Sequence, residues 1–367
     1  MYEKELNSIK KSNRFRERKL FDENLIDLAS NDYLGLANNK ELLQKAFLRI
    51  EKLQSFSPKA SILVNGYSKI HKEFEELLSK VNGFEDGIVV GSGFLANISL
   101  IEAMVRKNDT LFIDEEYHAS GILATKLLKD EQVVKFLHND EKDLEEKLKS
   151  CTRSGRKIIA IEGVYSMNGN LAKKEIFDIA NKYNSILIVD EAHSSGVIGK
   201  NLLGIYDYYN INIERNHIKM GTLGKAYGSY GAYILASKNI ISFLENRAKP
   251  IIYSTSLSLF DTALALESLN YIINNKNLLS QKIKENLNII YDYLGIESKS
   301  LIIPILINDN EKVLKIQESL KNSGFLVGAI RQPTVKNAII RLIAKIDISK
   351  DELVTVCKLI KELNANK

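Results

Sequence analysis

The chain has 367 residues, and 51 Lys and Arg against 46 Asp and Glu give it a net charge of +5. Seven basic and three acidic residues fall within the first twenty, so that segment carries +4 and the rest is nearly neutral. This excludes a nucleic-acid binder with a broad basic face, and no apolar run approaches the roughly 18 residues of a membrane span.

The charged N-terminus has no compact apolar stretch, so no signal peptide is expected. Cys151 and Cys357 form neither a disulfide framework nor a CxxC metal pattern. The expectation is a cytoplasmic protein with no metal site.

Residues 1–20 are predicted to form a charged helix. From about 40 to 250, helical spacing at 73–80, 95–105 and 140–149 alternates with short apolar runs at 110–114, 157–162, 186–190, 217–220 and 231–236. Buried strands alternating with helices predict an α/β fold with a mainly parallel sheet. A long helix is expected from 261 to 290. Strand-like 301–307, helical 311–322, strand-like 338–343 and helical 350–363 then predict a smaller α+β unit. The expected division is 1–39 for an N-terminal helix and segment, 40–265 for the large domain and 266–367 for the small one.

Polar residues at the carboxyl ends of such strands line a crevice. The run 186–190 ends in Asp190, followed by Glu191, Ala192 and His193. Taken alone, the aspartate could cap a helix and the histidine could be structural. Lys225 lies in a loop crowded by Gly221, Gly224, Gly228 and Gly231, where a ligand can approach the backbone closely. A partly desolvated lysine has a lowered pKa, which suits it to form a Schiff base. An Asp-x-x-His at a strand end and a glycine-flanked lysine 35 residues later match what pyridoxal phosphate requires. The aspartate keeps the ring nitrogen protonated and the lysine holds the aldehyde. Gly91-Ser92-Gly93-Phe94 precedes a helical run whose free N–H groups suit a phosphate. His118, just past the strand 110–114, is placed to stack on a flat ring, although a lone histidine also has an ordinary structural reading.

Six ordered motifs then resemble the α-oxoamine synthases, a group of fold-type I pyridoxal-phosphate enzymes. They span 31–36 (Asn-Asp-Tyr-Leu-Gly-Leu), 90–97, 162–169, 189–196, 221–228 and 329–335 (Ala-Ile-Arg-Gln-Pro-Thr-Val). The resemblance implies an aspartate aminotransferase-like fold, a homodimer and pyridoxal 5'-phosphate as cofactor. It also implies decarboxylative condensation of L-alanine with a pimeloyl thioester, on coenzyme A or acyl carrier protein, as biotin assembly requires. Glycine with acetyl-CoA, or the substrates of another α-oxoamine synthase, is the alternative pair, and a pyridoxal-phosphate aminotransferase is the alternative class.

By resemblance, Lys225 carries the cofactor and serves as base, Asp190 pairs with the ring nitrogen, and His193 and Ser166 bind the phenolic oxygen. His118 stacks on the ring, Thr222 holds the phosphate, and Gly93 and Phe94 offer backbone contacts. Glu162 falls behind them. Arg331 would take the amino-acid carboxylate, with Thr334 and Asn31 near the substrate. Arg16, flanked by Arg14 and Arg18, would reach the acyl donor. The chain departs from the family at 57–66, which lacks a glycine-rich run ending in arginine. It also has Gln332 for a common Pro and Asn168 for a common Asp; neither is expected to touch the core chemistry, and both bear on acyl-chain specificity.

Overall fold

Short apolar runs buried on both faces need cover on each side, and 110–114, 157–162, 186–190 and 232–236 form the larger sheet's interior with 217–222, where even His217 and Lys219 are buried. The computed structural model describes residues 1–12 and 15–365. Its strands are β1 (Ile26–Leu28), β2 (Asp86–Val90), β3 (Thr110–Asp114), β4 (Val133–Phe136), β5 (Lys157–Glu162), β6 (Ile186–Asp190), β7 (His217–Thr222), β8 (Ala232–Ala236), β9 (Ile302–Leu306), β10 (Phe325–Ile330) and β11 (Ile339–Ile343).

Seven strands form one sheet in the order β2-β8-β7-β6-β5-β3-β4. The pairings from β7 to β4 are parallel, whereas β8 runs antiparallel to both neighbours. The fold class is therefore the mainly parallel α/β architecture expected. Helices cover the sheet, and the one spanning Gly93–Met104 buries Ala96, Leu100, Ile101 and Met104 against it. In β6, Asp190 is in register with Glu162 of β5 and Met220 of β7. One strand end thus gathers the chemistry.

The second sheet, ordered β1-β10-β11-β9, is mixed: β1 joins β10 in parallel and the other pairings are antiparallel. β1 comes from the N-terminal segment, so the smaller unit is not confined to 266–367. A boundary at residue 265 falls inside one continuous helix, Leu259–Leu294. Ser258 caps its start by accepting from the Asp261 N–H, and Gly295 closes its end at φ 68°, a conformation that glycine adopts at little cost. The expected helix over 1–20 is shorter, Glu3–Lys11, and buries none of its residues. Its mixed charge supports a helix that has nothing to pack on, so it ends within three turns. Both cysteines are free, Cys357 buried and Cys151 half-buried.

Candidate active site

Asp190 ends β6 with 4% of its surface exposed. Its carboxylate accepts from the Ala192 N–H at 3.0 Å and from Asn97 Nδ2 at 2.9 Å. Asn97 also donates to Ser120 Oγ and accepts from the Tyr117 hydroxyl, while Ser120 Oγ meets His118 Nδ1 at 2.7 Å. A buried relay therefore fixes both Asp190 and the ring of His118. Asn97 went unassigned in the sequence because it sits inside a helix that is apolar nearly all round. Its position as the last residue of the 90–97 motif was the available signal.

Lys225 lies in the loop after β7, with Nζ 2.6 Å from His193 Nε2. Burial lowers the lysine's pKa to about 8, against the attraction of Asp190 and Glu162 and with help from Arg341. Burial, then Lys225 and Arg341, push His193 well below the ordinary imidazole range, so it is neutral. With the lysine charged, Nε2 accepts and Nδ1–H donates to the Tyr33 hydroxyl, which donates in turn to Asn31 Oδ1. Arg341 Nη2 donates to the same Asn31 oxygen at 3.0 Å, and its Nε donates to the Ser166 carbonyl at 2.9 Å. The Ser166 N–H reaches Glu162 Oε2 at 3.1 Å. Glu162 is 1% exposed, its Oε1 has no partner, and burial beside Asp190 raises its pKa well above the carboxylate range.

Tyr33 and Arg341 are thus members of the site that the sequence reading did not name. Arg341 alternates with isoleucines and leucine in β11 and reads as an outward strand residue, yet it is 6% exposed. Arg331 follows β10 in a half-exposed turn and makes none of the contacts that gather around the lysine. Arg16 and Arg18 are exposed and, among the described residues, make no hydrogen bond or ion pair; Arg14 lies outside the described residues. The structure therefore does not join Arg16 or Arg18 to this cluster.

Two cavities flank the centre. One, of about 790 Å³, is lined by Lys225, Thr222, Ser92 and Asn31. The other, of about 660 Å³, is lined by His118, Ser166, Asn168 and Thr334. Asn168 lines the same cavity as His118 and Ser166 while touching neither Lys225 nor Asp190. Ser92 caps the helix Gly93–Met104 through the Leu95 N–H, and the N–H groups of Gly93 and exposed Phe94, in the first turn, have no partner within the helix. A Cβ on Gly93 would meet nothing nearer than Thr222, at 3.8 Å.

The loop after β6 is held from below. Lys219, 1% exposed, extends to Asn82 Oδ1 at 2.8 Å and lies 3.6 Å from Glu191. Glu191 accepts from Ser194 Oγ and from the Ile205 N–H at 2.7 Å. Removing either charge would strand the other in the core.

A lysine with a lowered pKa, a buried strand-end carboxylate, a neutral histidine and a roomy helix N-terminus together fit pyridoxal phosphate. The fold and this donor set define a fold-type I pyridoxal-phosphate enzyme. Residues 23–360 match the model of the class I and II aminotransferase family. An 8-amino-7-oxononanoate synthase of Helicobacter pylori is 48% identical over 343 residues, 93% of this chain and 92% of that one. A putative 8-amino-7-oxononanoate synthase of Aquifex aeolicus is 39% identical, covering 96% and 95%. Among solved structures, an 8-amino-7-oxononanoate synthase from Francisella tularensis superposes with a TM-score of 0.78 at 26% identity, covering 93% of this chain and 98% of that one. Serine palmitoyltransferase from Sphingomonas wittichii shares the fold at a TM-score of 0.86 and 23% identity, covering 92% and 87%. The chain belongs to the class I and II aminotransferase family and, within it, to the α-oxoamine synthases, acyltransferases that use pyridoxal phosphate.

Proposed function

We propose that this chain condenses L-alanine with a pimeloyl thioester, releasing CO₂ and free thiol and giving 8-amino-7-oxononanoate, a step of biotin synthesis. The relatives' names support the product, and the observation that carries the reading is the buried Arg341 guanidinium facing the lysine. When bound, pyridoxal phosphate supplies an aldehyde for the lysine and a ring that takes up the electron pair left at the amino acid's Cα.

The chain's own residues do the rest. Arg341, held by Asn31 and the Ser166 carbonyl, binds the alanine carboxylate in the geometry a guanidinium favours. Lys225 takes the Cα proton and later returns one. Its lowered pKa puts the amine near the operating pH, as a general base requires. Asp190, fixed by Asn97, would hold the proton on the ring nitrogen. His193 and Ser166 would bind the phenolic oxygen, and His118 would stack on the ring. Gly93, Phe94 and Thr222 would take the phosphate. Thr334 borders the acyl chain. Arg331 is left with the outer part of the acyl donor, and Arg16 joins it only if the N-terminal segment repositions.

The reading includes a cytoplasmic homodimer. Exposed Phe47, Leu63, Val64 and Tyr253 offer apolar surface that a second copy would cover. Among the described residues, no helix is long and apolar enough to cross a membrane, and no cluster of three or more His, Cys, Asp or Glu is placed to hold a metal. The deciding experiment offers the holoenzyme pimeloyl-CoA with alanine against acetyl-CoA with glycine, following free thiol and CO₂. Preference for the second pair would overturn the substrate assignment. Glutamate formed from alanine and 2-oxoglutarate would make the chain an aminotransferase.

A further inference from the structure

A second titratable cluster lies behind two loops of the centre. His138 follows β4 with 18% of its side chain exposed. Its Nδ1 is 3.1 Å from Asp114 Oδ1, at the carboxyl end of β3. Its Nε2 is 3.6 Å from Glu116 Oε2 and 3.3 Å from Asn168 Nδ2. Asn168 Nδ2 also donates to Glu116 Oε2 at 2.8 Å, and the His138 N–H donates to Glu115 Oε1 at 3.3 Å. The ring stands edge-on to Tyr165, whose hydroxyl donates to Asp114 Oδ2 at 2.6 Å. Glu116 is two residues before His118, and Asn168 two after Ser166. One imidazole therefore ties together the loops that carry both.

Asp114 is fully buried and already accepts from the N–H groups of Glu116 and Asn139, each at 2.8 Å. That leaves Nδ1–H of His138 as a donor to Asp114 in either charge state. A neutral ring then presents Nε2 as an acceptor, which Asn168 Nδ2 satisfies. A protonated ring presents a donor instead, and the acceptor beside it is Glu116. Burial opposes the charged form, but the Asp114 hydrogen bond and the charges of Asp114, Glu116 and Glu115 outweigh it and raise the pKa.

Glu116 and Asn168 belong to the wall of the 660 Å³ cavity, with His118, Ser166 and Lys336. We propose that His138 is a positioning residue whose cation neutralises Glu116 in the wall of the acyl-donor cavity. Its loss leaves a carboxylate there that repels an anionic thioester. This rests on the acyl-transfer reading above. It assigns a specificity role to residues that touch neither the lysine nor Asp190.

The test measures KM of the holoenzyme for pimeloyl-CoA and for alanine between pH 6 and 9. In the wild type, KM for the thioester should rise about threefold to fivefold with pH, the scale of one partly screened charge, relative to any change in KM for alanine. Glu116→Gln should keep the low value throughout, and His138→Gln the high one. A rise that persists in Glu116→Gln overturns the proposal. With only five histidines in the chain, the His138 ring resonance can be assigned by its loss in His138→Gln. Its pKa should fall by about 0.5 to 1 in Glu116→Gln. An unshifted pKa overturns the pairing whatever the substrate is. A shifted pKa in a chain with no acyl-transfer activity overturns the acyl-donor role and the functional reading, leaving the pair itself standing.

Discussion

Arg341 Nη2 donates to the Asn31 carboxamide at 3.0 Å across 310 positions of sequence. A strand of the small sheet and the turn after β1 thereby close one side of the lysine's chamber. The same Asn31 oxygen receives the Tyr33 hydroxyl, so the guanidinium and the His193 ring share one anchor.

Arg341→Ala should raise KM for alanine about 10- to 100-fold, the range of a charge-assisted hydrogen bond to a carboxylate. Arg331→Ala should change it less than about threefold, because its half-exposed turn stands outside the cluster. Initial rates against alanine at saturating pimeloyl-CoA decide the matter. The reverse ranking would return the carboxylate to Arg331.

The lysine pKa of about 8 governs capture of the cofactor by the cofactor-free chain, because only the neutral amine attacks an aldehyde. At pH 7 about one lysine in ten is then neutral, against about one in 3,000 for an ordinary lysine. The rate of pyridoxal phosphate uptake should climb with pH and level off above about 8. Borohydride reduction followed by peptide mapping should place the label on Lys225. A label elsewhere, or a rate still climbing at pH 10, contradicts the assignment.

Glu162→Gln should stabilise the cofactor-free protein, and more so at pH 8 than at pH 5. The folded chain keeps a proton on Glu162 well above the ordinary value of 4.5, where the unfolded chain has released it. Folding stability therefore falls as pH rises between those two values. Glutamine does not titrate and escapes the loss. Melting curves of both proteins across this range should diverge; parallel curves would mean the carboxyl is ionised in the fold.

Gly204 sits at φ 93° and ψ −158°, where an L side chain is strained, and a Cβ there would lie 1.9 Å from Glu191 Oε2. Gly204→Ala should cost about 2–4 kcal/mol and displace the carboxylate that braces the loop after β6. The melting temperature should fall, and cofactor affinity with it. An unchanged melting point would show that Glu191 has room to move.

The large sheet was legible because its strands are buried on both faces and carry their function at one end, as 186–190 does. Asp190, His193 and Lys225 stood out because their neighbours restrict what else they could do. β1 escaped because three residues carry no periodicity, and its pairing with β10 is 299 positions distant at Ile26 and Phe325. Arg341 and Tyr33 escaped for a related reason. Each looks ordinary within its own segment, and only long-range packing turns one inward and brings the other to His193. Arg16 stands apart: a motif position suggests a ligand contact, and the described residues around it are exposed.

The helix Leu259–Leu294 has one further consequence. At 36 residues it is a rod of about 54 Å, packed against helices Lys40–Glu51 and Lys69–Asn82 of the large unit and Lys350–Ala365 of the small one. Both sheets are therefore mounted on a single axle. Any swing of one sheet against the other must therefore bend this helix or slide along its packed faces.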